Sequence, residues 1–290
     1  MTRFVTRLCL RVLAWTAFAS IAAGIVLGGT GCEKPEARTA LSYTADAKKA
    51  YDEAMVEFEA HNWIEAQTLM REVKRKYSYA KYARLAELRI ADADYEQEKY
   101  AEAIRGYRQF VHDHRSDVEE VSYARSRIAE AQYAQISESF LLPTADERDQ
   151  AVILDAFKEL KSYVHDYPNA KESQKIRELL ADVTARLMRH ELYVARFYLR
   201  LDNFEAAVLR VQYALRQFAG GPNVREAQPG ESVDSGLEAE ALLLLGEVYL
   251  KMHKFGDARE SFNVLLKDYP KSPLVVQANN YLAYMKERGV

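Results

Sequence analysis

From Thr44 to the end of the chain, apolar residues recur at the three- and four-residue steps of helices packed on one face, with charged residues between them. The steps themselves repeat. An aromatic or aliphatic residue is followed three places later by Ala and fourteen places later by an aromatic ring or His: Trp63/Ala66/Tyr77, Tyr100/Ala103/His114, Ile153/Ala156/Tyr167, Phe204/Ala207/Phe218 and Phe255/Ala258/Tyr269. Four places after each Ala stands a large apolar residue, Met70, Tyr107, Leu160, Val211 or Phe262. In four of the five motifs a small residue lies nine places before the first position, at Ala54, Ala91, Ala195 and Gly246. This predicts helix, tight turn, helix, with Asn62, Lys99, Asn203 and Lys254 in the turns and Pro168 and Pro270 just past the second helix. A small residue facing Ala lets two helices approach closely, and such pairs must stack to bury their remaining apolar faces.

The pattern resembles the tetratricopeptide repeat. The expected fold class is all-α, an α-solenoid of about five tetratricopeptide-like helix pairs over 44–290, closed by a C-terminal capping helix from Ser272 to Arg288. Motif starts are 37, 53, 51 and 51 residues apart, so insertions are expected at Ser139 to Asp146 and Ala219 to Ser235, with a long helix from about Ala170 to Leu201. The third unit lacks the small residue nine places upstream, since Thr144 stands there, and its first helix is expected to be displaced to about Tyr123 to Ser137.

Arg3, Arg7 and Arg11 precede an uncharged apolar stretch that ends in Gly28-Gly29-Thr30-Gly31 before Cys32. This is the anatomy of a secretory signal, although about 20 apolar residues would also serve as an uncleaved anchor. The small-residue run before a cysteine resembles a bacterial lipoprotein signal. That resemblance implies a signal peptide at 1–31, acylation of Cys32, and a tether over 32–43. With Glu33 rather than Asp next to the cysteine, it implies the outer membrane, periplasmic face. Beyond residue 31 the chain has 37 basic and 43 acidic side chains, a balance that argues against coating nucleic acid. Both cysteines, Cys9 and Cys32, precede the repeats, which excludes thiol chemistry and zinc clusters from the folded part.

No phosphate-binding glycine loop is present, and His190-Glu191 lacks the second histidine of a zinc-protease helix. On a helix His112 and His114 point apart, so His114 is expected in the core and His112 in solvent. No catalytic residue, metal site or cofactor is assigned. Recognition is the better-supported role. In tetratricopeptide geometry the first helices line a groove. Mapped onto this sequence, Lys48, Tyr51, Met55, Phe58 and Glu59, then Leu85, Leu88, Asp92, Tyr95 and Glu96, would form an aromatic, acid-edged surface for an extended peptide, unless the rings pack on neighbouring helices. The fourth unit places Arg189, Leu192, Arg196, Leu199 and Arg200 at the same positions, a basic face suited to an acidic partner.

The lipoprotein signal, the short tether, the five units, the loop near Asp146 to Asp149 and the run from His190 to Tyr198 together resemble the BamD family of outer-membrane assembly lipoproteins. The resemblance implies a non-enzymatic scaffold. Units over 44–138 would receive unfolded outer-membrane β-barrel proteins, and units over 139–290 would dock on the POTRA domain of a BamA-like barrel protein. It also implies that Arg210, three places after Ala207, meets an acidic residue of that partner. The other architecture-compatible function is a periplasmic adaptor for envelope or peptidoglycan machinery. A hydrolase has only scattered carboxylates in its favour.

Overall fold

The computed structural model describes residues 40–136, 149–218 and 235–290. Among them are eleven helices: α1 (Ala40–Glu59), α2 (Trp63–Lys76), α3 (Lys81–Glu96), α4 (Tyr100–Asp113), α5 (Val118–Ala134), α6 (Ala151–Asp166), α7 (Ser173–Arg200), α8 (Phe204–Phe218), α9 (Glu238–Lys251), α10 (Phe255–Asp268) and α11 (Val275–Glu287). Residues 46–290 form one compact unit. Of the residues before it, 40–45 are helical, so the last four residues assigned to the tether belong to α1 instead. The signal segment, Cys32 and both insertions, apart from Ser235, lie outside the described residues, as does the Asp146 loop up to Arg148.

Consecutive helices pair α3/α4, α5/α6, α7/α8 and α9/α10, and α11 packs on α10 as the cap; α1 turns onto α2, where Phe58 meets Trp63. Ala66, Ala103, Ala156, Ala207 and Ala258 are all fully buried, and so are Met70, Tyr107, Leu160, Val211 and Phe262 one turn further on. Each second helix thus turns one narrow face inward: Ala sets the approach distance and the larger side chain fills the space beyond it. Gly246 shows the requirement most sharply, because a Cβ there would overlap the Phe262 ring. Truncating Phe262 to Ala would cost about 3–5 kcal/mol.

Four tight turns share one backbone solution. His61, Glu98, Asp202 and His253 each adopt a left-handed conformation, with φ between 54° and 62°. In each the next residue's N–H reaches back five residues, as from Asn62 to Glu57 O and from Lys99 to Asp94 O, both 2.9 Å. This is a Schellman closure of the first helix, made without glycine.

The third unit follows the same plan once the insertion is discounted. Ala54, Ala91, Ala195 and Gly246 each sit five residues before the end of their helix, and in α5 that position is Ala129, which is fully buried. The small residue is therefore present, separated from Ile153 by the additional chain, and α5 begins and ends about three to five residues earlier than the spacing predicts. The expected long helix is α7, 28 residues or about 42 Å. Its additional N-terminal turns reach back to α5, where Lys175 pairs with Glu130 at 2.9 Å and the Tyr133 hydroxyl donates to Asp182 at 2.9 Å.

Candidate binding surfaces

In the first unit Lys48 is exposed and pairs with Asp52 at 2.5 Å. Tyr51, Met55 and Phe58 are half-buried. Tyr51 meets Tyr82 of α3 with ring centroids 5.6 Å apart, and Phe58 packs edge-on against Trp63 of its own pair at 5.1 Å. In the second unit Leu85 is half-buried, and Tyr95 lies edge-on to Tyr100 at 5.4 Å, with the Arg127 guanidinium stacked 3.8 Å from its ring centre. Leu88 corrects the groove assignment. It is only 2% exposed and packs among Ala91, Tyr107, Phe110 and Val121, because α4 and α5 close over that side of α3.

Asp92, assigned to the groove edge, is likewise 2% exposed and is the hub of a buried polar network. Its Oδ1 accepts the Tyr107 hydroxyl at 2.5 Å and the Tyr123 hydroxyl at 3.0 Å, while Oδ2 pairs with Arg89 at 2.6 Å. Arg127, 3.6 Å from the same carboxylate, also pairs with Glu96 at 3.2 Å and Glu130 at 2.9 Å. Burial, reinforced by the Asp92 charge, raises the Tyr107 phenol well above its ordinary range and pushes Tyr123 up to about 12. Burial alone would weaken the charge on Arg127, but the oxygens of Tyr107, Tyr123 and Asp92 more than reverse that and hold it protonated. The two cations of this network, Arg89 and Arg127, are therefore faced by its own acids and phenols. Arg89, Tyr123, Arg127 and Glu130 escaped the sequence reading, and the traces they leave are two Arg-to-acid pairs at i, i+3 on successive first helices.

The fourth-unit arginines do not form one open basic face. Arg189 is exposed and donates from Nε to Ala185 O at 3.3 Å. Arg196 is ion-paired with Glu240 of α9. Arg200 lies over the ring of Phe197 at 6.0 Å. Arg210 Nη1 pairs at 3.2 Å with Glu191, a residue only 7% exposed that belongs to the His190 to Tyr198 run. Beside Arg210 on α8 the outward positions Leu209 and Tyr213 are exposed and apolar. His112 is exposed, and His114 is half-buried with Nε2 2.9 Å from Glu87. Among the described residues no cluster of His, Cys, Asp and Glu is placed to hold a metal, and no helix is long and apolar enough to cross a membrane.

Stacked antiparallel pairs with small residues at each crossing define a tetratricopeptide-type solenoid, a class of binding scaffold. A tetratricopeptide repeat profile matches residues 240–272. The profile of the YfiO family, described as outer membrane lipoprotein, matches residues 44–229, and the chain belongs to that family. It is similar to the outer membrane protein assembly factor BamD of Caulobacter vibrioides, 25% identical over 275 residues that cover 94% of this chain and 83% of the relative. It is also similar to BamD of Neisseria meningitidis serogroup A, 23% identical over 240 residues covering 80% and 82%. Among solved structures it resembles the TPR2AB-domain:pHSP90-complex of yeast Sti1 at 13% identity, over 79% of each chain, with a TM-score of 0.39.

Proposed function

We propose that the chain is a non-enzymatic, lipid-anchored scaffold of outer-membrane protein assembly, held through Cys32 on the periplasmic face of the outer membrane. The observation that carries this is the family match over 44–229, together with assembly-factor relatives that cover most of the chain. On this reading the half-buried rings of the first two units, Tyr51, Met55, Phe58, Leu85 and Tyr95, with Lys48 at the edge, meet an unfolded barrel substrate as an extended segment. Leu88 acts from beneath by holding α3 in place. The fourth unit, through Arg189, Arg196, Arg200 and Arg210, docks on the POTRA domain of a BamA-like barrel protein.

Affinity isolation of the acylated chain is expected to recover such a barrel protein. Depletion is expected to lower many outer-membrane barrel proteins together. Recovery of peptidoglycan-associated proteins alone, with barrel levels unchanged, would replace this reading with that of an envelope adaptor.

A further inference from the structure

The corner between α2 and α3 differs in charge from the other described corners on the same edge of the solenoid. Residues 71–84, from six before Tyr77 to seven after it, hold six cations and one acid, Glu72. At the same register, the windows around His114, Tyr167 and Tyr269 each hold two Lys or Arg, against four, two and one acids respectively. The whole chain has a formal net charge of −3, so the concentration at one corner runs against the composition. Lys74 pairs with Glu87 at 3.3 Å and Arg84 with Asp117 at 2.7 Å. Arg75, Lys76 and Lys81 are exposed, and the two lysines lie 5.2 Å from the ring centres of Tyr77 and Tyr82. Among them Tyr79 is 93% exposed. Tyrosine standing among lysine and arginine is the side-chain chemistry of a membrane–water interface.

Within the solenoid this corner lies beside α1. The turn at 60–62 makes α1 and α2 antiparallel, and Tyr51 of α1 meets Tyr82 of α3. The end of α2 and the start of α3 therefore lie alongside α1, away from its C-terminal turn. Seven residues separate Cys32 from the first residue of α1, a reach of at most about 29 Å when fully extended.

We propose that the α2–α3 corner rests on the membrane and binds anionic phospholipid headgroups, orienting a solenoid that the acylated cysteine only tethers. The inference rests on the lipid-anchored reading above. Acyl chains limit the distance from the bilayer but leave the solenoid free to swivel; a basic corner selects one orientation. Each Lys or Arg at an anionic surface favours the bound state by about fivefold, and the attraction decays over a Debye length of about 10 Å at 0.1 M salt.

The test uses the acylated chain in phosphatidylcholine vesicles with or without phosphatidylglycerol. An environment-sensitive dye is placed at the exposed corner through Ser78→Cys, which keeps Tyr79. The dye is expected to report a headgroup environment only with phosphatidylglycerol, to lose it at high salt, and to be indifferent to free inorganic phosphate. Combining Arg75→Glu, Lys76→Glu and Lys81→Glu is expected to lower the membrane-facing population by about tenfold or more, with helicity and vesicle attachment unchanged. An identical dye response in neutral and anionic vesicles overturns the proposal, as does protection of position 78 by an acidic protein without any response to lipid. Complete loss of vesicle attachment would instead overturn the anchor reading. Sedimentation of the unacylated chain with anionic vesicles then decides the corner separately: anionic-selective binding supports it and no binding overturns it.

Discussion

The Tyr107 hydroxyl donates to Asp92 Oδ1 at 2.5 Å from within the α3–α4 interface, and both residues are almost entirely shielded from water. A buried carboxylate is costly unless its charge and lone pairs are matched, and here Tyr107, Tyr123 and Arg89 match them from three helices. Asp92→Ala is expected to destabilise the chain by about 3–5 kcal/mol, since it strands Arg89 and two phenols. Tyr107→Phe removes one hydrogen bond to a charged group and should cost about 1.5–3 kcal/mol. Urea unfolding followed by circular dichroism measures both. A loss below about 1 kcal/mol for Asp92→Ala would mean that water replaces the network.

The same phenols set an alkaline limit. Tyr107 and Tyr123 are raised above their ordinary value, Tyr123 to about 12, so above pH 10 the unfolded chain loses these protons before the folded chain does. Their stabilisation is complete below pH 10 and is withdrawn as the pH climbs from there, at about 1.4 kcal/mol per pH unit for each tyrosine. Thermal melts between pH 9 and 11 should show the decline. The double variant Tyr107→Phe, Tyr123→Phe should start lower and decline less steeply. Equal slopes in the two proteins would assign the alkaline loss to other groups.

Local periodicity made the solenoid legible. Ala66 with Met70, or Ala258 with Phe262, marks a packing face within two helical turns, and tertiary structure only completes what that spacing begins. The third unit was less legible because its signal spans an insertion: Ala129 and Ile153 belong to one crossing but stand 24 residues apart. The register of a single helix places Leu88 and Asp92 in the groove. Their burial is decided by α4 and α5, which bring Tyr107, Val121 and Tyr123 over them. The arginines of the fourth unit share the same difficulty. Arg196 finds its partner 44 residues on, at Glu240, a pairing that no repeat spacing encodes.

The left-handed turns offer a stabilisation series. An ordinary side chain in this conformation costs about 1–2 kcal/mol, and glycine avoids that while adding entropy to the unfolded chain. Glu98→Gly is therefore expected to stabilise by about 0.5–1 kcal/mol. Asp202→Gly should gain least, because a short polar side chain already tolerates the left-handed region. Glycine within a helix works in the opposite direction: Glu102→Gly, at an exposed position of α4, should cost about 1 kcal/mol. Differential scanning calorimetry of the three variants checks the order, and a loss at Glu98→Gly would contradict the turn geometry.

Arg210 has two roles to separate. It is 3.2 Å from Glu191, whose side chain is nearly buried while that of Arg210 is not, so Arg210→Ala leaves a carboxylate with weak access to water. With that partial solvation the expected loss of stability is about 1–2 kcal/mol. Glu191→Gln in the same chain should restore most of it, because the amide carries no charge to strand. Partner docking behaves differently if Arg210 reaches an acidic residue outside the chain: the double variant would regain stability but still bind the barrel protein weakly. Measuring both unfolding and association for Arg210→Ala, Glu191→Gln and the pair therefore distinguishes an internal strut from a contact. Full recovery of binding in the double variant would assign Arg210 to the internal pair.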